Sequence, residues 1–165
     1  MKTSLQETLN LQLQEVEKRL KDQVTGNYPP LVEALSGLIS TGGKRVRPRL
    51  TLLMGQLLGA NPQRLLDLAA AIEMLHTATL VHDDLIDGAL LRRGAETLHT
   101  RWTPATTVLA GDLVFALAAR LAAASDSVQV MALFSETLQI IVNGEITNLL
   151  RPEGGLDRQA YYEWI

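Results

Sequence analysis

Cysteine is absent from the 165 residues. That excludes disulfides and thiolate metal sites and fits a reducing cytoplasm, the expected location. An excess of positive charge is also missing. Fifteen basic against 18 acidic residues give a formal charge of −3, so nothing points to bulk nucleic-acid binding. The N-terminal MKTSLQETLNLQLQEVEKRLKDQV has no continuous apolar stretch, and no signal peptide is expected there. The most apolar stretch, Thr103 to Ala124, carries Asp112 and Arg120. A span of ~20 apolar residues tolerates charge poorly in a bilayer, so this stretch reads as a buried helix and no transmembrane segment is expected. Strand signals are nearly absent. What is present is apolar content, 47% of the chain, enough to bury a core in what the length suggests is one domain.

The apolar residues recur at helical spacing. Leu9, Leu13, Val16, Leu20 and Val24 predict an amphipathic first helix, ended by Gly26, Asn27, Pro29 and Pro30. A short helix follows over about Leu31–Ile39, broken by Thr41, Gly42 and Gly43. Pro48 suits the first turn of the next, which runs to about Leu58 with Gly59 as its stop. Asn61 caps a long helix with Pro62 in its first turn, reaching about Asp87. Gly88 to Trp102 reads as a polar, basic connector, followed by helices over about Pro104–Ala124 and Asp126–Arg151. Pro152, Gly154 and Gly155 form a last turn before a further helix from Leu156. Three of the seven aromatics, Tyr161, Tyr162 and Trp164, fall in the last five residues, with no capping residue after them. An apolar helix ending in mid-turn suggests a shortened chain.

Three charged constellations break local electrostatic rules. In LVHDDLIDGALLRRG, Asp83 and Asp87 stand one turn apart on one helical face, with Asp84 beside them. These acids crowd a helix C-terminus, which is already partly negative, so something positive must compensate. Carboxylate oxygens suit a hard cation that keeps waters and bridges phosphate, which describes Mg²⁺. The plain alternative is a solvated acidic face, but the neighbours Leu80, Val81, Leu85 and Ile86 are apolar. In GGKRVRPRL, Lys44, Arg45, Arg47 and Arg49 surround a helix start, again the unfavourable end for their sign. Free N–H groups and basic side chains together suit a phosphate or diphosphate, although a basic surface loop explains any one of these residues alone. Arg92 and Arg93 follow the acids closely enough to reach the same ligand, or to form salt bridges with the aspartates. One cation and two polyanions would resolve all three anomalies together.

GGKRVRP, then HTATLVHDDLID, LRRG, VLAGD and NGE, is a motif order that resembles the trans-type isoprenyl (polyprenyl) diphosphate synthases, particularly the medium- and long-chain members. The resemblance implies an all-α fold, a helical bundle around a central cavity, with 1–165 a single but incomplete polyprenyl synthase domain. It implies a Mg²⁺-dependent transferase joining an allylic diphosphate to isopentenyl diphosphate to give a longer all-trans product. Asp83, Asp84 and Asp87 match the first aspartate-rich motif and would bind the metal. Arg92 matches the allylic-diphosphate ligand. Lys44, Arg47, His76 and Arg93 match the isopentenyl-diphosphate site. Ala78 and Thr79, five and four residues before Asp83, stand where short-chain members often carry bulky aromatics, and small side chains there would leave the product cavity open. Phe115 could act as its floor. His82 and His99 match nothing in the family's site and read as structural or exposed.

The sequence departs from that pattern in lacking a second aspartate-rich motif. Asp157 stands alone and Asp126 has no partner at the required spacing. The C-terminal helices of the bundle are therefore expected to be missing, and the chain alone is expected to be a poor catalyst. Association follows as an expectation, either as a homodimer or with a full-length synthase. The alternative function is a non-catalytic or regulatory shortened subunit that binds prenyl diphosphate or such a synthase.

Overall fold

The five apolar residues at helical spacing near the N-terminus all turn inward on α1, Leu5–Val24. α2 spans Pro29–Ser40, starting on the prolines expected to separate it from α1. α3 covers Val46–Leu57, with Pro48 buried in its first turn. α4 runs over Pro62–Ile86, and the Asn61 side chain accepts hydrogen bonds from the N–H groups of Gln63 and Arg64, as the Asn-Pro signal requires. α5 is a single turn, Leu98–Arg101, followed by α6, Pro104–Ala123, and α7, Val128–Leu150.

The computed structural model describes residues 5–40 and 43–150, with Arg158 and Tyr162. Thr41 and Gly42, the expected turn at Pro152, Gly154 and Gly155, and Leu156, Asp157, Tyr161 and Trp164 lie outside the described residues. The all-α expectation holds, with one addition. The connector after α4 contains a hairpin of two two-residue strands, β1 Leu91–Arg92 and β2 Ala95–Glu96. Arg92 pairs with Ala95 across it. The intervening Arg93 and Gly94 both have positive φ, +53° and +81°, the conformation a two-residue hairpin turn of type I′ demands.

The chain forms two compact units, residues 1–127 and 128–165. In the first, α4 is the central helix, packed against α6, α3 and α1. Its buried residues lie almost all round it, including Leu65, Ala69, Ala70, Met74, Ala78 and Val81. α4 and α6 are each long and apolar enough to cross a bilayer, yet both serve as core helices of this unit. Leu20, Leu35 and Leu52 are almost completely buried, each contributing roughly 2 kcal/mol of hydrophobic stabilisation. Polar ties bind the same helices. Arg19 on α1 pairs with Asp67 and Gln63 on α4.

α6 approaches α4 closely at Gly111, where a methyl group would overlap the His82 ring. His82 Nε2 lies 3.1 Å from the Val108 carbonyl oxygen, and its ring centroid is 5.3 Å from that of Phe115. Gly111→Ala should therefore lower stability by roughly 1–3 kcal/mol through overpacking, measured by urea denaturation. The second unit contains α7, one unbroken 23-residue helix.

Candidate functional site

The last turn of α4 does not present its three acids alike. Asp84 is buried, 4% exposed, while Asp83 is half-buried and Asp87, the capping residue, is exposed. Asp84 Oδ1 accepts a 2.7 Å hydrogen bond from Arg92 Nε on β1. This charge-assisted bond folds the connector back against the helix. Thr97 fixes the hairpin's other end, its hydroxyl donating to the Ala89 carbonyl at 2.7 Å. The connector is thus a built element that brings Arg92 and Arg93 beside the α4 carboxylates.

The hairpin also reaches the basic loop. The Arg93 guanidinium lies against Gly43, so close that a Cβ on Gly43 would stand 2.9 Å from Arg93 Nη1. Lys44 and Arg47 are exposed beside it. Arg45 and Arg49 behave differently from their neighbours. Arg45 turns inward to Glu73 of α4, and Arg49 donates to the Lys44 carbonyl oxygen at 3.1 Å. The sequence run KRVRPR therefore divides into two exposed cations and two committed ones. Arg45, the N-cap residue of α3, gives it no side-chain cap.

Two adjoining cavities share Arg45, Glu73, His76 and Arg93. One, of about 590 Å³, is lined further by Lys44 and Arg47. The other, of about 410 Å³, is lined by Asp84 and Arg92 and by apolar Ala34, Leu38 and Leu80. The acidic and basic clusters consequently open on one side of the first unit. Asp83 and Asp87 line neither cavity but stand in the same helical turn as Asp84. Ala78, Thr79 and Phe115 are not brought there. Ala78 is fully buried, the Thr79 hydroxyl bonds back to the His76 carbonyl at 2.9 Å, and Phe115 packs on His82.

His76 stands at the junction of the cavities. Burial, then the positive charges of Arg47, Arg93 and Arg92, pushes its pKa below the ordinary 6.5, while Glu73 opposes them. The neutral imidazole is therefore favoured in the fold. This native-state preference contributes stability above pH 6.5 that is lost as the pH falls through the lowered value. An anion bound beside it would favour the imidazolium and take up a proton. His76 should then contribute a strengthening of pyrophosphate binding as the pH is lowered through this window, and His76→Asn should remove that part of the slope. Calorimetry in buffers of different ionisation heat reads the proton uptake directly.

Among the described residues no group of three His, Asp or Glu side chains already converges as a metal site. The acids at the end of α4 nevertheless offer only oxygen donors, one turn apart. That donor set fits a hard divalent cation drawing its remaining ligands from water and phosphate.

The polyprenyl synthetase family model matches residues 29–165. The chain belongs to the polyprenyl synthetase family. Solanesyl-diphosphate synthase 2, chloroplastic, of Oryza sativa subsp. japonica is 37% identical to this chain over 153 residues, covering 87% of it and 37% of the rice protein. Heptaprenyl diphosphate synthase component 2 of Geobacillus stearothermophilus is 35% identical over 134 residues, 81% of this chain and 42% of that one. A crystal structure of polyprenyl synthase from Caulobacter crescentus CB15, complexed with calcium and isoprenyl diphosphate, superposes with a TM-score of 0.86 at 36% identity. It covers 94% of this chain and 48% of that one. The chain thus spans less than half the length of each of these relatives. The isoprenoid-synthase helical fold expected from the motifs is the one found.

Proposed function

We propose that this chain supplies the diphosphate-binding half of a Mg²⁺-dependent prenyltransferase, which condenses an allylic diphosphate with isopentenyl diphosphate and releases pyrophosphate. The observation that carries the reading is the meeting of the two charged clusters, with Arg92 on Asp84 and Arg93 on Gly43. In this reading Asp83 and Asp87 hold the metal, with Asp84 behind them. Arg92 gives forked contacts to the allylic diphosphate, and Lys44, Arg47, His76 and Arg93 hold isopentenyl diphosphate. Bound there, Mg²⁺ would supply Lewis-acid neutralisation of the diphosphate leaving group. Leu38, Leu80 and Ala34 make the adjoining wall apolar, which helps exclude water from the reacting carbons. The thiol-free composition is consistent with a cytoplasmic setting.

A specific observation supports a second reading, a subunit that works with another synthase chain. The Geobacillus relative is itself named as a component. Turnover of radiolabelled isopentenyl diphosphate, with and without a full-length family member, separates the two. Label incorporation by the chain alone supports an enzyme in its own right. Stimulation above the partner's own rate supports the subunit. Absence of both, together with no binding of allylic diphosphate, rejects the proposal.

Gly43→Ala offers a milder test. The added methyl displaces the Arg93 guanidinium, the far end of a flexible side chain, so stability should hold. Isopentenyl diphosphate affinity should fall about tenfold, the cost of one misplaced charged contact.

A further inference from the structure

Of the two basic-cluster residues that the ligand assignment leaves over, Arg45 and Arg49, Arg45 is the one that turns inward. Its backbone is left-handed, with φ +48° and ψ +41°, at the entry to α3. Such a conformation is unfavourable for a residue with a Cβ and persists only where surrounding contacts hold it. The side chain supplies those contacts. Nη1 donates to Glu73 Oε1 on α4 at 2.7 Å, and Nη2 to the Ile39 carbonyl oxygen in the last turn of α2 at 2.6 Å. Nε donates to Glu17 Oε1 on α1 at 3.4 Å. One guanidinium thus ties three helices to the start of a fourth. Its side chain is 10% exposed and that of Glu73 is 8% exposed.

The position of this clasp matters more than its strength. Lys44 precedes Arg45 and Arg47 follows two residues later, both reaching solvent. Glu73 stands one turn before His76 on α4, and both line the two cavities with Arg45 and Arg93. The left-handed residue decides how the loop enters α3, and therefore where Lys44 and Arg47 sit relative to His76. We infer that the Arg45–Glu73 clasp is a positioning device, which sets Lys44 and Arg47 around the anion without Arg45 touching it. This rests on the diphosphate reading above and adds to it a residue pair outside the assigned ligands.

The test separates positioning from stability. Removing both buried charges in the double variant Arg45→Met/Glu73→Met leaves neither ion unpaired, and such replacements often fold as well as the ion pair. Inorganic pyrophosphate is titrated calorimetrically into the native chain and this variant, with thermal midpoints measured alongside. The inference expects a near-native midpoint with pyrophosphate binding weakened about tenfold or more. Native affinity in the folded double variant overturns it and leaves the diphosphate reading intact. No binding to the native chain overturns both. Should the double variant fail to fold, Arg45→Lys takes its place. The lysine keeps the charge but cannot span all three partners, so weakened pyrophosphate binding in the folded protein is expected, and unchanged binding overturns the inference.

Discussion

Asp83→Ala should abolish Mg²⁺-dependent binding of an allylic diphosphate, with a loss on the order of a hundredfold or more. Changes to residues that merely orient a metal ligand cost up to ~100-fold, and removal of a ligand itself is expected to reach at least that level. Isothermal titration with a non-hydrolysable allylic diphosphate, in the presence and absence of Mg²⁺, measures it. The metal-dependent component should vanish, with circular dichroism recording the helical content alongside. Unchanged Mg²⁺ dependence would reject the metal role. Asp84 should behave differently, since its carboxylate already engages Arg92 at 2.7 Å. Asp84→Asn keeps an acceptor for Arg92 but removes the charge that strengthens the bond, and its main effect should be a less firmly held guanidinium.

The largest stability effect should come from Arg45→Ala. The substitution leaves the Glu73 carboxylate buried without its 2.7 Å partner and uncouples the Ile39 carbonyl from its donor. Breaking one side of a buried ion pair costs about 3–5 kcal/mol. Chemical denaturation followed by circular dichroism should show a midpoint shift of that size with an unchanged slope. A loss below about 1 kcal/mol would mean that the pair is not the junction of α1, α2, α3 and α4 described above. Arg47→Ala provides the contrast. Arg47 is exposed, so its loss should weaken anion binding and leave stability nearly unchanged.

Much of this was legible in the sequence because the helices announce themselves locally. Asn61-Pro62, Gly59 and the Leu9–Val24 spacing place ends and faces without reference to the rest of the chain. The hairpin at Leu91–Glu96 did not, since two-residue strands are too short to show alternation. Its signal was Arg93-Gly94, a pair suited to positive φ once Arg93 accepts the strain. The site was legible as chemistry but not as geometry. Nothing in KRVRPR tells which arginine turns inward, because the choice depends on Glu73 arriving from α4, 28 residues later. The three acids looked equivalent for the same reason. Which face of the α4 end is buried depends on where the connector returns Arg92. The family resemblance implied that Ala78 and Thr79 face a product cavity. In the described fold Ala78 is fully enclosed in the first unit, so small size there also serves close helix packing.

A single binding event should engage both charged clusters. NMR titration of the isotope-labelled chain with pyrophosphate and Mg²⁺ follows it residue by residue. Resonances of Gly43, Lys44 and Arg47 should shift in parallel with those of Asp83, Asp84, Arg92 and Arg93, along one saturation curve that requires the metal for its acidic part. Shifts confined to one cluster, or two unrelated curves, would contradict a shared opening.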